Sequence, residues 1–451
     1  MSSLGLLKKI SGLTEISVLV IYLAFALLSI QGVVFTEYIL QLQLNSSNRD
    51  VEVSSAQILL ANWTTIFLIC QSLPAVFVIL YISTWSDCIG RKITMILPTV
   101  GMLVTSISFT IVLVYRLPIE YLLIGNLSIG LTGNTILLRS GVGSYLSDIS
   151  NTANFTFRMS VLLGVNFLGI ALGQLVFSVW IDNNGFIEPF IFITVLLVFS
   201  IFYIVFMIEE SIDTTVLTKK YSFKNVVADM INVILNNTNN RRKIMLLWMF
   251  VRILNSSMVN ALFHGLQLYA IGPPLNMSTS GAGYFTSSYF LSNTVGMLCI
   301  TKLLQKLFKT NDYTLFYIGS ISAMASSIVI AVTSDTLVYL SIPLAVLAVL
   351  PKAIVEARLS KLVEQNEQGA VFAQAGALDN IGFLLGPIWV GVTYAASVES
   401  QPSLIFYIMF IGSLLNMLVV IFIQWNFGKT EETTESSNSE FNENIPLLME
   451  T

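Results

Sequence analysis

The chain has 451 residues, 55% apolar and 11% charged, with a mean hydropathy of +0.79. Soluble domains carry about 25% charged residues, so a soluble enzyme is excluded, and a net charge of −4 lacks the basic footprint of a nucleic-acid binder. One histidine and three cysteines (Cys70, Cys88, Cys299) exclude a zinc-finger or iron–sulfur framework.

In chain order, long apolar runs predict twelve membrane-spanning helices near 16–40, 56–82, 93–115, 119–148, 157–180, 187–208, 244–268, 282–304, 313–333, 336–356, 370–395 and 403–425. The first run is too long for a cleaved signal peptide and lacks a small-residue cleavage site, so it is expected to stay as a helix. Cytoplasmic loops hold the excess of Lys and Arg. With both termini in the cytoplasm, 18 of the 22 basic residues fall inside, Arg49 and Arg116 fall outside, and Arg139 and Arg252 lie within spans. The expected fold is an all-α membrane protein of twelve transmembrane helices with both termini cytoplasmic. The polar stretch 209–243 is a cytoplasmic linker between six-helix bundles at 1–208 and 244–425, an arrangement suited to rocking about a midplane site. Residues 426–451, rich in Glu, Ser, Thr and Asn, are expected to form a disordered cytoplasmic tail. Gly164, Gly169 and Gly173 fit close helix packing in the fifth span.

An ionisable side chain inside a span is costly and marks a functional candidate. Glu37 lies late in the first span and is a substrate-binding candidate; Asn134, after Gly133 in the fourth, is an uncharged one. Arg139 in the fourth span and Arg252 in the seventh carry forks suited to carboxylate or phosphate. They can bind an anionic solute or neutralise Asp379 or Glu356, and the sequence leaves both open. His264, near the outer end of the seventh span, titrates near an acidic compartment's pH in its ordinary state or serves structurally. Glu356 ends the tenth span one turn after Lys352. A snorkelling pair at the interface is the simpler account there, and proton coupling the alternative. Asp379 lies ten residues past Gly369, about 15 Å into the bilayer at 1.5 Å per residue. Desolvation penalises a charged carboxylate at that depth, which suits a proton carrier; a hydrogen-bonded helix contact is the alternative.

Between the second and third spans stands Ser83-Thr-Trp-Ser-Asp87-Cys-Ile-Gly90-Arg91-Lys92. A carboxylate at a helix end can bond the exposed N–H groups of a neighbouring helix or an Arg, latching two bundles on the cytoplasmic side. Gly90 permits a tight turn. The segment resembles the G-x-L-A-D-R-x-G-R-K loop of the major facilitator superfamily, with Ser83 for the first glycine and Cys88 for the arginine. Further stretches are Gln31-Gly32, Thr36-Glu37-Tyr38, Phe157-Arg158-Met159, Arg358-Leu-Ser360-Lys361-Leu-Val363 and Glu367-Gln368-Gly369-Ala370. Together they resemble the proton-coupled folate transporter family (solute carrier family 46), over nearly the whole length from first to eleventh span.

The resemblance implies a carrier that alternates between inward-open and outward-open states. Its members move bulky anionic heterocyclic or conjugated solutes such as folates, cyclic dinucleotides, peptidoglycan fragments and steroid conjugates, in some branches with protons. It places Asp148 at a cytoplasmic gate with Asp87, Gly90, Arg91 and Lys92. The acid at Asp379 resembles the lysosomal branch, where the folate branch has an amide. Leu163 replaces a coupling acid, Asn126 and Glu356 replace arginines, and Asn276 replaces a disulfide cysteine. Folate is therefore disfavoured, and any proton coupling is expected to run through Asp379 first, then Glu356 or His264.

Sequons at Asn45 and Asn276 fall in predicted outer loops. The tail segment Glu443-Asn-Ile-Pro-Leu447-Leu448 fits an acidic dileucine signal for endosomes and lysosomes, read by sorting adaptors. The expectation is a multi-pass protein of the lysosomal or late endosomal membrane, exporting a small organic anion with protons, without a cofactor. The alternatives are a plasma-membrane importer of the same solutes and a non-transporting receptor or scaffold. No nucleophile–base pair or phosphate-cradling loop supports an enzyme.

Overall fold

The computed structural model describes residues 49–149, 152–185, 187–211, 240–272, 274–308, 311–332, 336–362, 368–397 and 400–443. The expected first span, with Glu37 and Asn45, lies outside them, as do Leu447 and Leu448. The described elements are helical. They are α1 (Arg49–Ile89), α2 (Ile93–Tyr115), α3 (Leu122–Leu131, entered through a 3-10 turn), α4 (Asn134–Ile149), α5 (Thr152–Asn184) and α6 (Ile187–Met207). After residue 240 come α7 (Arg241–Ile271), α8 (Thr279–Val295), α9 (Thr301–Phe308), α10 (Asp312–Val332), α11 (Leu350–Lys361), α12 (Gln368–Ser397) and α13 (Leu404–Glu443).

Among the described residues, nine helices are long and apolar enough to cross a membrane. Helices suit that setting because every backbone group is satisfied within the segment. Which ones face lipid follows from burial. Only 28% of the α6 span is covered by protein, and it exposes Val195, Phe199, Phe202 and Phe206; the α5 span is 67% covered and lies inside. Helix α12 packs against α1 and α4, while α5 packs against α8 and α11, so α1–α6 and α7–α13 meet along two seams.

Three expected spans are interrupted. The fourth breaks at Thr132 and Gly133, where Gly133 and Asn134 have φ of 86° and 56°. The eighth contains a π-helical turn at Gly296–Ile300. In the tenth, short helical pieces at Thr336–Leu340 and Ser341–Leu344 give way to a turn before α11 begins. Pro343 and Pro351 each lack a backbone donor, and a proline ring also crowds the carbonyl four residues back. At the other end of the chain, the backbone stays helical to Glu443 where a disordered tail from 426 is expected. The span propagates through helix-favouring Lys429, Glu431 and Glu432, and the next proline is Pro446.

Candidate functional site

Five charged side chains converge where α4, α7, α11 and α12 meet. Asp379 is 1% exposed, Arg252 and Glu356 4% and Lys352 5%, so each is enclosed by protein. Asp379 Oδ2 is the focus: Arg139 donates to it from α4, Arg252 Nη2 lies 3.0 Å away and Lys352 Nζ 3.8 Å. Glu356 Oε1 sits 2.7 Å from Arg252 Nη2 and 3.7 Å from Arg139 Nε. Two backbone contacts hold the frame. Arg252 Nε donates to the Ala375 carbonyl at 2.9 Å, and Ser256 Oγ donates to the Asp379 carbonyl at 3.0 Å, fastening α7 to α12.

The residues come into register because of spacing. Lys352 and Glu356 are four apart and share a face of α11, as do Ala375 and Asp379 on α12. Three cations meet two carboxylates, leaving one positive charge in excess. Burying charge without compensation is expensive, and here three cations compensate Asp379, the pairing with Arg139 and Arg252 that the sequence leaves open being the arrangement seen. Lys352 and Glu356 do not snorkel to an interface. Both are buried beside Arg252, and their presence one turn apart inside a span, next to Pro351, is the signal that sequence reasoning misread. Arg139 alone of the five comes from α1–α6, so its ion pairs cross from one group of helices to the other.

Among the described residues, three polar atoms here have no hydrogen-bond partner: Asp379 Oδ1, Glu356 Oε2 and Arg252 Nη1. The first two can take a proton and the third can donate to an anion. The cavity they adjoin measures about 10 Å³ and is lined by Ile136, Arg139, Arg252, Glu356, Gly376 and Asp379. That is room for about one water molecule, so a bulky solute enters only if the helices part.

A second polar cluster gathers the predicted gate. Gly90 adopts φ of 116°, a conformation that favours glycine, and closes the tight turn expected of it. Arg91 Nε lies 3.1 Å from Asp148 Oδ2, which also accepts from Ser211 Oγ at 3.0 Å. The Glu210 carboxylate receives the backbone N–H groups of Arg91 and Lys92 at the start of α2, and Lys92 Nζ donates to the Val205 carbonyl at 3.2 Å. These partners all belong to α1–α6 and the segment after it. These contacts of the described residues lie within one group of helices, whereas the latch expected from the sequence joins both. The side chain of Asp87, the residue expected to make the cross-bundle contact, lies outside the described residues. Glu210 went unrecognised because it falls in the expected linker; two acids directly after a span, opposite a basic loop, are the signal.

The remaining candidates lie elsewhere. His264 is twelve residues beyond Arg252, about 18 Å along α7, and stacks edge-on against Phe263. Asn134 sits at the start of α4, buried, with its Oδ1 accepting from the backbone and hydroxyl of Thr135 and its amide nitrogen without a partner among the described residues. It is about a turn and a half from Arg139. Asn126 is buried between Gln71 and the Leu122 carbonyl. Asn276 is exposed in the loop before α8. Glu443 ends α13, with its side chain outside the described residues. At the end of α11, Arg358 and Lys361 pair with Asp312 at 3.3 and 2.6 Å, and Arg358 lies 4.3 Å over the Tyr313 ring.

Comparison with known proteins agrees with this architecture. The model of the Major Facilitator Superfamily matches residues 16–353. The human lysosomal proton-coupled steroid conjugate and bile acid symporter is 25% identical over 381 residues, 82% of this chain and 81% of that one. The rat proton-coupled folate transporter is 22% identical over 394 residues, 84% and 85% of the two chains. The crystal structure of the human organic anion transporter MFSD10 (TETRAN) shares the fold, with a TM-score of 0.69 at 13% identity, covering 92% of this chain and 99% of that one. These relatives are transporters, not enzymes. With the superfamily model spanning most of its length, this chain belongs to the Major Facilitator Superfamily, and its likeness there is to the proton-coupled carriers of solute carrier family 46.

Proposed function

We propose that the protein is a proton-coupled carrier of bulky organic anions, working by alternating access between two six-helix bundles, 1–208 and 244–425, joined by a cytoplasmic linker. The reading takes twelve transmembrane helices with both termini cytoplasmic, the described nine spans being completed by the first span and the interrupted eighth and tenth. The observation that carries it is the ion-pair cluster of Arg139, Arg252, Lys352, Glu356 and Asp379, which bridges the bundles and holds one positive charge in excess.

Proton and anion are coupled through that charge. Protonating Asp379 or Glu356 removes a partner from Arg139, weakens the bridge between bundles and leaves the cationic forks seeking an acceptor. A monoanionic solute then restores the original net charge. The two therefore travel together, and both are released when the carboxylate and the arginines pair again on the other side. Glu37 and Asn134 are the further substrate-binding candidates, and the loop of Asp87, Gly90, Arg91 and Lys92 with Asp148 steadies the cytoplasmic end.

The likeness to a lysosomal symporter and the Glu443, Leu447 and Leu448 pattern support a lysosomal or late endosomal membrane, with export to the cytosol down the proton gradient. On that topology Asn45 and Asn276 face the lumen and carry glycans, and sorting adaptors read the tail. The likeness to a folate transporter favours a second reading, import at the plasma membrane, although Asn126, Leu163 and Glu356 stand where that branch differs. The test is uptake of a panel of labelled steroid conjugates, bile acids, folates and cyclic dinucleotides into vesicles at two pH values. Acid-stimulated uptake of at least one anion, lost in Asp379→Asn while the protein still reaches the membrane, supports the reading. Full acid stimulation in that variant removes Asp379 from the mechanism, and no flux of any solute favours a receptor.

A further inference from the structure

A second cavity, of about 40 Å³ and mixed lining, lies within α7–α13, away from the seams between the two groups of helices. Its polar lining includes Asn255 of α7, Tyr289 of α8, Ser327 of α10, and Ser413 and Asn416 of α13, and it reaches the helix break at Pro351. At about 10–15 Å³ per site, the volume suits about three water molecules. Apolar side chains such as Met258, Leu262 and Met409 supply most of its wall, but it also holds polar groups: among the described residues the buried amide oxygens of Asn255 and Asn416 have no partner, and Tyr289 shares a hydrogen bond of 3.0 Å with Ser326.

The backbone around it is unusual in the same place. The turn between Leu344 and α11 is not helical, and irregular backbone at membrane depth is tolerated where it is covered by protein or lines a water-filled cavity. Part of it is secured: Ser322 Oγ donates to the Leu344 carbonyl at 2.5 Å and accepts from Leu347 N at 3.1 Å. A Cβ on Gly296 would meet the Val346 carbonyl at 1.6 Å, so the turn lies directly on the π-helical turn of the neighbouring span. Ala348, Val349 and Pro351 face the cavity instead.

Its lining adjoins the charge cluster along the chain, while Glu356 and Asp379 themselves line the smaller cavity described above. Asn255 is one turn from Arg252 on α7, and Pro351 directly precedes Lys352 on α11. The charged groups facing Asp379 and Glu356 are Arg139 from α4, Arg252 from α7 and Lys352 from α11, while Tyr289 is the titratable group in the cavity's own lining. No carboxylate is among the described lining residues, so the lining offers no charged ligand to a metal ion. The unpartnered amide oxygens call for donors, which water supplies.

We propose that this cavity is a hydrated antechamber through which protons reach Glu356 and Asp379. A hydronium ion relayed along its waters gives its proton to an unpartnered carboxylate oxygen, leaving water and a neutral acid. The solute path between the bundles and the proton path through the C-terminal bundle are then separate. This inference rests on the proton-coupled reading above, and two measurements keep them apart.

The first fills the cavity with apolar volume, Ser327→Leu or Asn416→Leu, and compares acid-stimulated uptake with solute counterflow at equal pH on both sides. The antechamber predicts at least a tenfold loss of acid stimulation with counterflow within twofold of wild type. Undiminished acid stimulation in both variants overturns it. The second tests hydration alone. In a chain whose Cys70, Cys88 and Cys299 are serine, Asn416→Cys should react with a small membrane-permeant thiosulfonate and not with a bulky maleimide. An unreactive thiol overturns the proposal whether or not the variants in the first experiment fold. Absence of acid stimulation in the wild-type protein would instead sink the proton-coupled reading, and the labelling result would then decide the hydration of the cavity by itself.

Discussion

Replacing Arg139 by glutamine tests the bridge between the bundles, because Arg139 is the member of the cluster supplied by α4. It contacts Asp379 and lies 3.7 Å from Glu356. At an effective dielectric of about 20, opposite charges ~4 Å apart attract by roughly 4 kcal/mol. Two such attractions are offset in large part by repulsion from Arg252 and Lys352, which share the same carboxylates, and by desolvation. A net loss of about 3 kcal/mol is consistent with breaking a buried ion pair, and it amounts to roughly a hundredfold shift in the closed-to-open equilibrium. The excess charge falls from one to zero, so anion affinity falls as well. Arg139→Gln should therefore open the seam beside Ser140, read as faster thiol labelling of Ser140→Cys, and raise the KM for the transported anion at least tenfold. Labelling and KM both equal to those of the parent would refute the assignment of Arg139 as the cross-bundle bridge.

Glu210→Gln removes a charged acceptor from the two backbone N–H groups at the start of α2; a charge-assisted bond contributes about 1.5–3 kcal/mol, so thermal stability in detergent should fall measurably while the solute KM stays near its parent value. His264→Gln should leave acid-stimulated uptake within twofold, since His264 lies ~18 Å along α7 from Arg252; a loss of pH dependence would move the proton site outward. Leu447→Ala with Leu448→Ala should shift the protein from lysosomes to the cell surface by microscopy, and an unchanged distribution would discredit the tail signal.

The spans that the sequence delimits best are those where an apolar run is closed by charges or turn residues on both sides. The third, read as 93–115, is Ile93–Tyr115 in the structure, and the sixth, read as 187–208, is Ile187–Met207. The interruptions in the fourth, eighth and tenth spans are less legible. Hydropathy is the same for a helix, a π turn or an open turn, and only Gly133, Gly296 and Pro351 hint at where the ladder changes. Within the site, the cost of burying charge singles out Asp379, Arg252 and Arg139 from their places inside apolar spans, whereas Glu356 at the end of a span reads first as a snorkelling partner of Lys352. Their mutual pairing depends on how α4, α7, α11 and α12 pack, which a linear pattern does not encode. That is why Lys352 reads as a snorkelling residue and Glu210 as linker, whereas in space one joins the focus on Asp379 and the other caps the loop at Arg91.

The account turns on α4 and α12 separating at the cluster during transport, and a reversible cross-link between them measures this directly. A Cβ built on Gly376 lies 3.4 Å from Ser140 Cβ, close to the ~3.5–4.5 Å of a disulfide. In a chain with its native cysteines changed to serine, Ser140→Cys and Gly376→Cys should form a bond on mild oxidation, stop uptake and counterflow together, and recover both on reduction. A fully cross-linked protein that still carries solute would contradict the account.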